Sequence, residues 1–124
     1  MSMKVYEYAN CGTCKKALKF LDKNGATYQK ISITEQPPSM NELKEMLGHL
    51  QARGLSYKNL FNTSGVQYRE LGISQMIQDG LSETQALQML AQNGKLIKRP
   101  FLLTKNSGTV GFQEQEWISI LKKK

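Results

Sequence analysis

The sequence predicts an α/β fold in which a mixed four-stranded sheet is divided by a helical insertion. Two units frame the prediction. Residues 3–33 pass from strand alternation to helical periodicity and back, a β-α-β unit, and residues 101–124 carry two short apolar runs and an amphipathic tail, a β-β-α unit. Between them, residues 39–93 read mainly as helix and turn. Domains typically run about 100–150 residues, so the chain of 124 is expected to form a single domain over 1–124, its insertion spanning about 39–93. A composition of 40% hydrophobic and 22% charged residues excludes disorder and a fibrous repeat.

Residues 3–8 alternate through Val5, Tyr6 and Tyr8 as a first strand, and Asn10-Cys11-Gly12-Thr13 makes a turn. From Cys14 onward, Cys14, Ala17, Leu18 and Leu21 fall at i, i+3, i+4 and i+7, with Lys15, Lys16, Lys19, Asp22 and Lys23 on the other faces. That is an amphipathic helix, ended by Asn24-Gly25. Residues 28–33, with Ile31 and Ile33 on one side, read as a second strand, which Pro37-Pro38 stops. Ser39-Met40-Asn41-Glu42 is a capping-box signature for a helix whose buried face is Leu43, Met46, Leu47 and Leu50. Residues 55–60 and 66–71 read as short helical pieces around Asn62-Thr63-Ser64-Gly65. Ser82-Glu83-Thr84-Gln85 caps another helix carrying Ala86, Leu87, Leu90 and Ala91, which Asn93-Gly94 ends. After Arg99-Pro100, residues 101–104 and 109–112 are strand-like around the turn Lys105-Asn106-Ser107-Gly108, and residues 113–124, with Trp117, Ile118 and Leu121, close as a helix. This order is the thioredoxin-like arrangement with an all-helical insertion between its halves.

Seventeen Lys and Arg against ten Asp and Glu give a formal net charge of +7, which raises the question of nucleic acid or acidic partners. Distribution answers part of it. Residues 1–62 carry +4 and residues 63–124 carry +3, so neither half is a basic arm. The clusters Lys15-Lys16 with Lys19 and Lys23, Lys95-Lys98-Arg99 and Lys122-Lys123-Lys124 lack interleaved aromatics, and no direct nucleic-acid binding is expected. Residues 1–8 contain no apolar core of a signal peptide, and no apolar run approaches the ~20 residues of a membrane helix. A cytoplasmic location without membrane association is expected, where thiols stay reduced and a lone Cys-x-x-Cys is more often catalytic or metal-binding than structural.

The two cysteines, Cys11 and Cys14, are too few and too close for a secreted disulfide framework. Cys11 falls just before the helix, where unpaired N–H groups and the positive end of the dipole stabilise an anion, with Lys15 and Lys16 adding charge in the first turn. Surroundings of that kind bring a thiol pKa to ~3.5–7.5, which makes Cys11 the expected attacking sulfur. Cys14, one turn inside on the apolar face, is the expected resolving thiol. Zinc asks for about four ligands, and two cysteines with the single His49 do not supply them, so no metal is expected. Ligands shared across a dimer, or two inert buried cysteines, stay open as alternatives. A phosphatase Cys-x5-Arg loop is excluded by Ala17 and Phe20 at that spacing, and His49 reads as a surface or boundary residue without a role. Arg99-Pro100 is the second informative pair. A proline at this point of a thioredoxin-like fold is commonly cis and faces the cysteine loop, leaving Arg99 to stabilise the thiolate or hold an anionic substrate. The other reading is an ordinary proline opening a strand beside a solvent-facing arginine.

Longer stretches add a resemblance. They are residues 8–17 around Asn10-Cys11-Gly12-Thr13-Cys14, Glu35-Gln36-Pro37-Pro38-Ser39, Leu60-Phe61-Asn62-Thr63-Ser64-Gly65, Tyr68-Arg69-Glu70-Leu71, Leu96-Ile97-Lys98-Arg99-Pro100 and Val110-Gly111-Phe112. Together they resemble the arsenate reductase/Spx family, the ArsC-like branch of thioredoxin-fold proteins, over nearly the whole chain and most closely its small Cys-x-x-Cys, Spx/MgsR-like members. In that family, glutaredoxin-linked arsenate reductases use one cysteine, matched by Cys11, and three arginines around the oxyanion. Only Arg99 matches, with Asn62 and Gln113 where the other two fall and Cys14 where serine is usual. Each such donor is worth about 3–4 kcal/mol, so arsenate reduction ranks last among the readings. Spx-type regulators share a Cys-x-x-Cys switch, an arginine before the proline and a surface for the C-terminal domain of the RNA polymerase α-subunit. Arg53-Gly54 falls near the contact region of that branch, and the longer basic C-terminal tail of those regulators has no counterpart here.

The leading expectation is a thiol-disulfide redox protein. Cys11 attacks and Cys14 resolves, Asn10 and Lys15 support the thiolate, and Arg99 with Pro100 forms the opposite wall. No bound cofactor is expected; thioredoxin, glutaredoxin or a low-molecular-weight thiol would be the reductant, and the partner a thiol or disulfide client protein or small thiol. The alternative is a redox-sensing regulator that binds the RNA polymerase α-subunit.

Overall fold

Alternation along a strand decides which side of a sheet each residue meets. The computed structural model describes residues 3–123. Strand β1 (Lys4–Glu7) lies parallel to β2 (Gln29–Ser32), the geometry that a crossover through helix α1 (Gly12–Lys23) allows. Strand β3 (Phe101–Leu103) runs antiparallel to β1, and β4 (Gly108–Val110) antiparallel to β3, giving one mixed sheet in the order β2-β1-β3-β4. Tyr6, Ile31, Phe101 and Leu103 pack on one side of the sheet with the buried face of helix α2 (Met40–Gln51) and the helices that follow it. Met3, Val5 and Leu102 pack on the other side with Ala17 and Leu21 of α1 and with Trp117 and Ile120 of helix α6 (Glu114–Lys123). The result is a thioredoxin-like α/β fold with the insertion confined to one face.

Two expected caps form as read. Ser39 Oγ accepts from the Glu42 N–H at 3.1 Å and Glu42 Oε1 accepts from the Ser39 N–H at 3.1 Å, starting α2. Ser82 and Gln85 do the same at the start of α5 (Glu83–Gln92). Glu42 also accepts from Tyr6 Oη at 2.6 Å and from Lys4 Nζ at 2.8 Å, so one carboxylate ties the start of α2 to β1. Burial pushes that carboxyl up, yet the hydrogen bonds from Lys4, Tyr6 and the Ser39 N–H outweigh it, and its pKa lies below the ordinary value.

Other boundaries differ from the sequence reading. Residues 55–60 yield only a 3-10 turn at Tyr57–Leu60, and residues 66–71 a short helix α3 (Val66–Glu70). A separate helix α4 (Ile73–Gln78) follows, unforeseen because it starts at Gly72 with no side-chain cap. β4 ends at Val110 instead of 112: Gly111 turns out at φ 76°, and its carbonyl accepts from Trp117 Nε1 at 3.0 Å. In α6 the buried partner of Trp117 is Ile120, three residues on, and Ile118 is only half-buried. Met1 and Ser2 at the opening, and Lys124 at the end of the expected last helix, lie outside the described residues.

The insertion rejoins the sheet through a short seam. Phe61 and Ile97 form an antiparallel bridge, the Asn62 N–H donates to Leu96 O at 2.8 Å, and the Lys98 N–H donates to Leu60 O at 2.7 Å. Beside it a 3-10 turn at Gly94–Leu96 packs directly on the end of β2, where a Cβ at Gly94 would overlap the Ile33 carbonyl.

Candidate functional site

Register sets the location of the site. Tyr6 opposes Phe101, and Phe101 opposes Val110, so the exit of β1, the approach to β3 and the exit of β4 share one end of the sheet. The seam brings residues 60–62 of the insertion to the same end. A cleft of about 640 Å³ opens there, lined by Cys11, by Asn62 and Val66 from the insertion, by Arg99, and by Phe112 and Gln113 after β4. Trp117 holds the β4 exit through Gly111 O, and its ring packs edge-on against Phe112 with centroids 5.1 Å apart.

Cys11 is the N-cap residue of α1, with extended backbone at φ −101° and ψ 114°. Its Sγ accepts from the Cys14 N–H at 3.3 Å, so the sulfur occupies the place that an N-cap oxygen usually takes. Negative charge on that sulfur meets an unpaired helix N–H and the positive end of the dipole. Cys11 is half-buried, Cys14 is fully buried one turn on, and both are free thiols. Burial, then the hydrogen bond with Cys11, pushes the Cys14 thiol up to about 12, a backbone contact from Tyr8 pulling weakly the other way. Cys14 is therefore a neutral thiol at physiological pH.

The Arg99-Pro100 peptide is cis, as a thioredoxin-like fold leads one to expect. Pro100 is buried and does not line the cleft, so of the pair expected to form its wall only Arg99 does; the Pro100 carbonyl accepts from the Gly111 N–H at 2.8 Å. Arg99 is half-buried and lines the cleft. Its guanidinium lies 4.5 Å from the centroid of the Tyr8 ring and its Nη1 donates to Lys95 O at 3.4 Å. Among the described residues no carboxylate pairs with it.

The structure thus brings Cys11 and Arg99 to one cleft with Cys14 directly beneath. Asn10 and Lys15 are exposed at the turn and on the first turn of α1, and neither lines the cleft. Asn62 and Gln113, the positions where the resemblance leads one to expect arginines, both line it. Sequence reasoning missed Val66 and Lys98 as cleft residues. The signal for Lys98 was its place beside Arg99; for Val66 no local signal existed, because only the seam at Phe61 and Ile97 carries it there. His49 is half-buried on α2, away from the cleft. Among the described residues no group of three or more His, Cys, Asp or Glu side chains is arranged to hold a metal ion, and no helix is long and apolar enough to cross a membrane.

Comparison with known proteins places the chain in a family. The chain is 44% identical over 117 residues to the uncharacterized protein YusI of Bacillus subtilis, covering 94% of this chain and 96% of that one. It is 27% identical over 124 residues to the global transcriptional regulator Spx 2 of Oceanobacillus iheyensis, covering 100% of this chain and 87% of that protein. Among solved structures, an ArsC family related protein from Bacteroides fragilis superposes with a TM-score of 0.88 at 38% identity, covering 97% of this chain and 98% of the other. The model of the ArsC family matches residues 6–120, from the middle of β1 into α6 and across every wall of the cleft, and the chain belongs to that family.

Proposed function

We propose that this chain is a cytoplasmic thiol-disulfide redox protein working through a Cys11/Cys14 dithiol-disulfide couple. One observation carries the reading: a half-exposed sulfur caps α1 and faces a cleft while a second sulfur lies buried one turn behind it. Cys11 attacks as the thiolate, forming a bond to one sulfur of a client disulfide and expelling the other, which takes a proton from water. Cys14 then loses its proton and attacks Cys11 Sγ. The Cys11–Cys14 disulfide forms, the client leaves as a dithiol, and two electrons have passed to it. Thioredoxin, glutaredoxin or two equivalents of a small thiol would return them. In this reading Arg99, above buried Pro100, receives an anionic group beside the reacting sulfurs, and the exposed Asn10 and Lys15 act at most on the outer rim.

Equilibration in glutathione buffers of graded potential, followed by acid trapping and mass spectrometry, tests the couple. One intramolecular disulfide should form, and alkylation of the reduced chain should strike Cys11 first. Absence of the disulfide, or first modification at Cys14, would sink the assignment. A potential near the ~−270 mV of thioredoxin marks a reductase, and a markedly more oxidising one a labile switch.

The second reading, a redox-sensing partner of the RNA polymerase α-subunit, is favoured by the likeness to Spx 2 across all 124 residues. A pull-down with the C-terminal domain of that polypeptide, oxidised against reduced, tests it; no capture in either state removes it. Arsenate reduction ranks below both, because Asn62 and Gln113 bring hydrogen-bonding amides to the cleft and no charge.

A further inference from the structure

The cleft does not end at Arg99. A second lobe of about 300 Å³ lies beyond it, and Asn62, Gly65, Val66 and Arg99 line both lobes, so the two form one groove with Cys11 at one end. Charge is unevenly spread along it. The Cys11 lobe is lined by Lys98 and the shared Arg99 with no carboxylate, whereas in the far lobe the shared Arg99 and Lys95 are offset by Glu70. Side-chain amides border the groove as well, Asn62 and Gln113 in the first lobe and Gln67 in the second. An amide offers a donor and an acceptor together, which suits a peptide group and ill suits an inorganic oxyanion. Val66, 58% exposed, adds an apolar wall common to both lobes.

We propose that the groove receives an extended segment of a partner protein in which the disulfide-bonded cysteine is followed by an acidic residue. The partner's sulfur meets Cys11, its carboxylate meets the fork of Arg99 and the ammonium of Lys98, and its backbone runs past Asn62 toward the second lobe. Glu70 sets the polarity, since it makes the far lobe the weaker of the two places for a carboxylate. The assignment rests on the thiol-disulfide reading above. Its covalent step is that of the first exchange: the Cys11 thiolate forms a disulfide with the partner's cysteine, and the sulfur formerly bonded to that cysteine leaves with the electron pair.

Short peptides test it, each carrying a 2-thiopyridyl disulfide on its cysteine and Asp, Asn or Lys at the next position. Release of 2-thiopyridone by the reduced full chain is measured at low and high salt, each rate divided by that of 2-mercaptoethanol with the same peptide. The Asp peptide should react about tenfold faster than the Lys peptide at low salt, the lower end of what electrostatic steering gives, and the ratio should shrink as salt screens it. Lys98→Gln and Arg99→Gln should each lower the ratio, and Arg99→Lys should keep most of it. Equal normalised rates for Asp and Lys peptides, or a ratio indifferent to both glutamine variants, would overturn the acidic-segment assignment while leaving the redox reading intact. A Cys11 that reacts with none of the peptides would overturn both.

Discussion

Helices α2 and α5 of the insertion begin on Ser39 and Ser82, each closed by a reciprocal capping box, whereas α1 of the sheet unit begins on Cys11, whose sulfur accepts at 3.3 Å from the Cys14 N–H. The same structural post is held by a strong oxygen cap in one region and by a weaker sulfur cap in the other. The two regions differ in burial too. Among the described residues the exposed large hydrophobics, Leu55, Val66, Leu71 and Met76, all lie in the insertion, while those of the sheet and its flanking helices are buried or half-buried. The sheet unit is held by long-range pairing and opens its helix on a sulfur; the insertion is held by local caps and leaves apolar surface uncovered.

The largest expected effect lies in the sheet unit. Trp117→Ala removes a fully buried ring and the bond to Gly111 O, and should cost about 3–5 kcal/mol in denaturant unfolding. Slow amide exchange should be lost across all four strands together; a loss confined to α6 would show that the sheet unit is not cooperative. A middle-sized contrast separates the two kinds of cap. Ser82→Ala should cost about 1 kcal/mol and speed exchange in α5 first. Cys11→Ser should leave stability equal or up to about 0.5 kcal/mol higher, because a hydroxyl caps at least as well, while ending disulfide formation. Destabilisation by Cys11→Ser of the size seen for Ser82→Ala would break the contrast.

The smallest effect near neutral pH belongs to Glu42, which joins the regions. Its folded pKa is lowered, so its contribution is complete above the unfolded glutamate value of ~4.3 and is lost as pH falls through the lower folded value. Glu42→Gln should therefore flatten the acid limb of the stability profile, read from midpoints in urea between neutral pH and pH ~3. An unchanged limb would mean that the link to Lys4 and Tyr6 contributes nothing to holding the regions together.

What was legible in the chain was whatever is written locally. The capping boxes, the α1 periodicity, the sulfur just before α1 and the strand alternation each occupy a few consecutive residues, and each marked its element, with helix and strand ends shifted by one or two residues. Helix α4 was not legible because it starts on a left-handed glycine, Gly72 at φ 66°, with no cap residue to announce it. The early end of β4 was hidden because it depends on Trp117 reaching back to Gly111. Of the cleft, Cys11 and Arg99 could be named from the residues and Asn62 and Gln113 through the resemblance, but Val66 could not, because its place depends on the pairing of Phe61 with Ile97 across 36 positions.

The Tyr6–Phe101–Val110 register, which gathers three strand ends at one edge, bears on how such a molecule changes over generations. Residues 62, 66 and 113 stand in loops or at a helix start, none in the interior of the sheet, and all are at least partly exposed. Replacing them alters what the cleft accepts without asking the core to repack, whereas Cys14, Pro100 and Trp117 beneath are closed in on every side. Selection can therefore rewrite what the cleft accepts one surface residue at a time, with the core left as it stands.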